Sequence, residues 1–241
     1  ALGQIILLFA PWRGIFVALL LLAGATMAWF HIRQPETLPA DKRLPFSPAA
    51  IGSSFREVLT TRSAVVYTLA GGMIFGAFIG FLNTSQQILQ ELYGLGARFP
   101  AYFAFLALTI GLSSFVNSRL VVRYGMRYLS RFALSVSVLA SGVFLLICLY
   151  RHPGLHVTMV YLSVTFVCTG ILFGNLNSLA MEPLGHIAGM ASSLIGSITT
   201  FISLGLGFVI GSAYNGTVIP VVAGFGVLGA LSLGAMWMSR E

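Results

Sequence analysis

Charge is what this sequence has least of. Only 8% of its 241 residues are Asp, Glu, Lys or Arg, where a soluble domain carries roughly a quarter. Mean hydropathy is +0.93. Together these exclude a water-soluble globule and imply an integral membrane protein. Lysine occurs once, at Lys42, so the net charge of +7 does not describe the solvated basic face that nucleic acid requires. Cysteine occurs twice. Cys148 and Cys168 both lie inside apolar runs without metal-ligand spacing, where a thiol acts as a small buried hydrophobe. Paired carboxylates, clustered His, Cys or Asp ligands and a nucleophile beside a base are all missing, which argues against an enzyme, a metal or a cofactor. The apolar runs show no period-two alternation, which argues against a membrane β-barrel.

What is present is a series of long apolar runs, at about 14–32, 64–84, 100–118, 132–150, 157–180, 188–213 and 217–239. Each approaches the roughly 20 residues that a bilayer-crossing helix needs. Ala1 to Ala10 is a further apolar run with no basic residues ahead of it, unlike a signal peptide. At about 1.5 Å per residue it covers roughly half the hydrocarbon thickness, and it reads as the end of a span whose beginning is missing. The expected fold is therefore all-α, with half of one transmembrane helix followed by seven complete ones.

Four arginines, Arg119, Arg123, Arg127 and Arg131, crowd the segment FVNSRLVVRYGMRYLSR. An arginine at mid-bilayer costs about 2.5 to 3.5 kcal/mol, so the group belongs at a membrane face, with Gly125 as the turn between two spans. One set of alternate connections holds Arg33, Lys42, Arg43, Arg56, Arg62, these four and Arg240; the other holds Arg13, Arg98 and Arg151. That bias places the cluster and the carboxyl terminus in the cytoplasm. Residues 33–62, rich in Pro and Ser, form the one long connection and suggest a division into 1–32, the end of one bundle, 33–62, a cytoplasmic linker, and 63–241, a six-helix bundle.

Three motifs narrow this layout: ETLP at 36–39, NSRLVVRYG at 117–125 and EPLGHIAGMASSL at 182–194. They resemble the Bcr/CflA drug-efflux transporters of the major facilitator superfamily. The resemblance covers essentially the whole chain. It implies that the chain is the carboxyl-terminal part of a twelve-helix transporter of the bacterial inner membrane, an antiporter that exports small amphipathic, drug-like compounds in exchange for protons. The proton-coupling acids would then belong to the missing amino-terminal half, and the fragment alone is not expected to transport. An exporter or importer of one metabolite, and a non-transporting scaffold, are the alternative readings.

On that resemblance Arg119, Arg123, Gly125 and Arg127 match the superfamily loop whose basic residues engage neighbouring helices; the plainer reading makes them topology signals. Glu182 and His186 fall at the next cytoplasmic turn, where Glu182 is expected to pair with an arginine of the cluster. For substrate contact the candidates are Asn83 and Gln87, which with Gln90 recur at helical spacing, and the aromatics Phe75 and Phe78. Asn175 is a further candidate through the resemblance. Asn175 and Asn177 lie two residues apart, so at most one fully lines a cavity. The bland reading of each amide is an interhelical hydrogen bond. Four-residue spacing of small residues at Gly72-Gly76-Gly80, Gly170-Gly174, Gly207-Gly211 and Gly189-Ser193-Ser197 predicts close helix packing.

Overall fold

A computed structural model of the chain describes residues 2–35 and 47–238. The ETLP motif, Lys42, Arg43 and Arg240 lie outside the described residues. Two compact units divide the chain, the first ending at Ala50 and the second beginning at Ile51.

The first unit contains α1 (Leu2–Leu7) and α2 (Arg13–Arg33), with Pro11 and Trp12 between them. No residue of α2 is buried. A helix apolar on every side, and about 32 Å long at 1.5 Å per residue, has the dimensions of a membrane span.

Residues 33–62 include a helix, α3 (Pro48–Thr60), which the extended residue Thr61 joins to the next helix. Pro48 suits a first helical position because its missing N–H has no intrahelical partner there. Ser54 and Val58, one turn apart, are buried, so α3 from Ile51 onward packs with the bundle that was expected to begin at 63.

Six long helices follow: α4 (Arg62–Gln86), α5 (Phe99–Tyr124), α6 (Met126–Tyr150), α7 (Leu155–Met181), α8 (Ala188–Ser212) and α9 (Ile219–Met238). With α2 they make seven helices of spanning length and apolarity among the described residues, because the continuous stretch Leu155–Ser212 comprises both α7 and α8. The breaks sit where backbone chemistry demands them. Gly125 at φ 79° separates α5 from α6, and Gly216 at φ 79° precedes α9, both in a region that side-chain-bearing residues avoid.

Packing of the six helices has an internal symmetry. α4 packs on α8 as α7 packs on α5, and α4 on α9 as α7 on α6, while α6–α9 and α4–α7 close a central ring. Exchanging α4–α6 with α7–α9 leaves this set of pairs unchanged. Three helices per repeat reverse the direction of the second repeat, giving an inverted-topology pair.

Lipid offers helices no hydrophobic drive to associate, so close backbone approach takes over. A methyl group on Gly76 would come within 2.8 Å of Leu206 Cβ, and one on Gly207 would collide with the Ile79 side chain, so the α4–α8 seam closes on glycines. Gly170 performs the same task between α7 and α5, where a methyl would meet the Ile110 carbonyl oxygen at 2.6 Å. The spacing misleads at Gly174 and Gly189, where an added methyl meets nothing within 4 Å. α4 also runs further than its apolar stretch, into a π-helical turn at Gln87–Leu92. Just beyond it the Tyr93 hydroxyl donates to the Pro153 carbonyl oxygen at 3.0 Å and shares a 2.6 Å hydrogen bond with Thr158 Oγ1, tying that turn to the start of α7.

Candidate functional site

Between α4, α7 and α8 lies a cavity of about 330 Å³. Gly71 and Gly196 open it, since a methyl on either meets nothing within 4 Å. Its wall is aromatic on one side. Phe75 and Phe173 line it with ring centroids 4.9 Å apart, and Phe78 backs them at 5.6 Å from Phe173 and 5.5 Å from Phe166. Such tilted and edge-on rings are mutually favourable and form a continuous apolar wall. Tyr67, Thr68, Asn177, Thr199 and Thr200 supply polar atoms. Thr68 spends its hydroxyl hydrogen on the Ala64 carbonyl at 2.6 Å. The Asn177 amide is exposed and has no partner among the described residues, so it presents two N–H donors and a carbonyl acceptor to whatever enters. No charged side chain lines the cavity. Its chemistry is that of an apolar pocket with a few neutral anchors, suited to small amphipathic molecules.

The sequence-predicted residues distribute unevenly around this cavity. Phe75 lines it and Phe78 stands behind it. Asn83 is about two turns further along α4, where its Nδ2 donates to the Gly207 carbonyl of α8 at 3.3 Å, an interhelical bond at the glycine seam. Gln87 begins the π-helical turn with its Oε1 buried and unpartnered. The wider turn moves Gln90 off the register that its spacing from Asn83 and Gln87 implied. Asn175 faces α5: Asn117 Nδ2 donates to Asn175 Oδ1 at 2.9 Å and Asn175 Nδ2 donates to Asn117 Oδ1 at 3.1 Å, both side chains buried. It is therefore a satisfied packing amide, and Asn177 occupies the cavity instead. Asn177 falls on the side of α7 that carries Phe173, four residues before it, and that spacing was the readable signal. Nothing comparable marked Thr199 and Thr200.

At one end of the bundle the charged side chains converge. Arg127 Nη2 lies 3.2 Å from Glu182 Oε2, so the turn after α7 is paired with the start of α6. His186 Nε2 lies 2.7 Å from Glu57 Oε1, an ion pair when the imidazole is protonated, and Ser54 Oγ donates to Met190 Sδ at 3.4 Å. Together these fasten α3 to the α7–α8 turn. Arg62 and Arg131 donate to the carbonyls of Met238 and Met236 at 2.6 and 3.3 Å, placing two cations on the negative end of the α9 dipole. Arg119 and Arg123 point elsewhere, over the rings of Phe115 and Tyr124.

Comparison with known proteins is consistent with these features. The model of the Major Facilitator Superfamily matches residues 1–210. An uncharacterized MFS-type transporter of Bacillus subtilis, YdgK, is 29% identical over 201 residues, covering 81% of this chain and 49% of that protein. A bicyclomycin resistance protein homolog of Haemophilus influenzae is 26% identical over 235 residues, 96% of this chain and 58% of that one. The multidrug resistance protein MdtL of Escherichia coli is 28% identical over 199 residues, 81% of this chain and 48% of that one. The chain thus spans about half the length of the curated relatives it matches. No solved structure matches it.

Proposed function

Because the chain belongs to the Major Facilitator Superfamily, we propose that its second unit is one six-helix bundle of a secondary transporter that exports small amphipathic drugs in exchange for protons. The observation that carries this reading is the cavity between α4, α7 and α8, with Phe75 and Phe173 on one wall and the unpartnered Asn177 amide in it. Flat apolar compounds stack on the rings, and a substrate hydrogen-bonding group meets Asn177. The names of the bicyclomycin and multidrug resistance relatives support the same substrate class.

The mechanism is alternating access, in which this bundle rocks against a second one and exposes the cavity to each side in turn. The Arg127–Glu182 pair is the contact made and broken at the cytoplasmic face during that motion. In this orientation the basic end of the bundle and the carboxyl terminus are cytoplasmic, in the inner membrane of a bacterium, a reading that the positive-inside bias supports. Among the described residues no Asp or Glu lies in the middle of a span, so the protonatable carboxylates come from the second bundle. The test is drug extrusion by a complete two-bundle transporter that carries this sequence as one bundle, in cells lacking their own pumps, with and without a pH gradient. Extrusion that stops when the gradient is collapsed supports proton exchange. Extrusion that continues unchanged refutes it.

A further inference from the structure

The point where α5 turns into α6 carries side chains that the Arg127–Glu182 pair does not engage. Gly125 is the single residue between the two helices. Arg119 and Arg123 are exposed there, and among the described residues neither makes an ion pair: Arg119 lies 5.2 Å over the Phe115 ring and Arg123 5.4 Å over Tyr124. Beside them three exposed rings form a ladder, Tyr124 on Tyr128 at 6.0 Å and Tyr128 on Phe132 at 6.5 Å. No side chain caps the first turn of α6, so its free N–H groups and the positive end of its dipole add to the same positive field.

The surroundings of this cluster indicate what it would hold. Tyr128 and Phe132 begin a face of α6 that continues through Leu139, Val143 and Leu146, each more than half exposed. These residues fall within one helical stripe, and on a membrane-crossing helix such a stripe meets acyl chains. A ligand complementary to the whole feature has an anionic, oxygen-rich head and an apolar tail. Free phosphate matches the arginines alone and leaves the ladder and the stripe without a role. Arginine rather than lysine also fits, because the guanidinium can lie on an aromatic face and still present a fork of donors to phosphate oxygens.

We propose that this corner binds an anionic phospholipid, its phosphate on Arg119, Arg123 and the uncapped start of α6, and its glycerol and upper methylenes along Tyr124, Tyr128 and Phe132. Arg127 takes no part, since Glu182 holds it. The bound lipid would pin the α5–α6 corner at the headgroup level of the leaflet that carries the most anionic lipid.

Native mass spectrometry of the protein purified in detergent tests this, with phosphatidylglycerol and phosphatidylcholine of identical acyl chains as probes. Phosphatidylglycerol is expected to be retained preferentially, and millimolar inorganic phosphate is expected not to displace it. Removing both charges in Arg119→Gln/Arg123→Gln is expected to weaken its retention roughly thirtyfold. Equal retention of the two lipids, displacement by inorganic phosphate, or undiminished retention by the glutamine variant would overturn the proposal. Should the glutamine variant fail to insert, Tyr128→Ala/Phe132→Ala, whose topology-setting charges are intact, carries the test, and unchanged retention there overturns it equally. Transport does not enter the readout, so failure here leaves the proposed function standing.

Discussion

Asn117 on α5 and Asn175 on α7 exchange two hydrogen bonds, at 2.9 and 3.1 Å, and both are buried. The pair fixes the register of the two helices in a setting where an unpaired amide has no water to turn to. Replacing one member strands the other. Asn175→Leu is expected to destabilise the protein by roughly 1 to 2 kcal/mol, whereas Asn117→Leu/Asn175→Leu recovers much of that loss. Thermal unfolding of the single and double variants in detergent measures the coupling.

Close approach of α5 and α7 depends on Gly170. A methyl there would press on the Ile110 carbonyl oxygen, a backbone atom that cannot rotate away. Gly170→Ala is expected to cost about 1 to 3 kcal/mol through overpacking. Gly174→Ala, one turn on and facing open space, is expected to be neutral or slightly stabilising. Comparing the two unfolding temperatures separates a packing glycine from one that merely keeps the spacing.

Filling the cavity tests its role in transport. Gly71 borders it and has room for a side chain, so Gly71→Leu occupies the space without disturbing the core. Drug extrusion is expected to fall while the unfolding temperature stays within a few degrees of the parent. Asn177→Ala is expected to reduce extrusion most for substrates rich in hydrogen-bonding groups, by roughly tenfold for one lost bond of about 1 to 1.5 kcal/mol.

Arg127 and Glu182 are both about half exposed, at 54% and 52%, and an exposed pair contributes at most about 1 kcal/mol of stability. Glu182→Gln is therefore expected to leave the unfolding temperature nearly unchanged. If the pair closes the cytoplasmic face, the same variant slows extrusion, and the exchanged pair Arg127→Glu/Glu182→Arg restores part of the rate. Transport assays on the single and exchanged variants distinguish a moving contact from an ornamental one.

Long apolar runs made the spans legible, because a bilayer imposes one length on every helix that crosses it, and the Arg cluster around Gly125 located a turn. The sidedness of individual residues was harder to read. Asn175 and Asn177 look alike in sequence, yet one is paired with Asn117 and the other faces the cavity, a difference set by where α5 crosses α7. The α3 helix was hidden because Pro48, Gly52 and several serines resemble a linker, and only the burial of Ser54 and Val58 shows that the bundle organises it. The π-helical turn at Gln87–Leu92 left no signature in periodicity, so the spacing that joined Gln90 to Asn83 and Gln87 does not carry over to one face. Glycine spacing identified Gly76, Gly170 and Gly207 but could not tell them from Gly174, since small residues recur for packing and for open space alike.

The most direct test of the account places a cysteine at Asn177 in a Cys148→Ser/Cys168→Ser background and follows its modification by a maleimide, with and without a transported drug. If the α4–α7–α8 cavity holds the substrate, the drug slows labelling of Asn177→Cys and leaves an Asn83→Cys control at the glycine seam unaffected. Labelling of Asn177→Cys that proceeds at the same rate with saturating drug would contradict the account and move the substrate site elsewhere in the molecule.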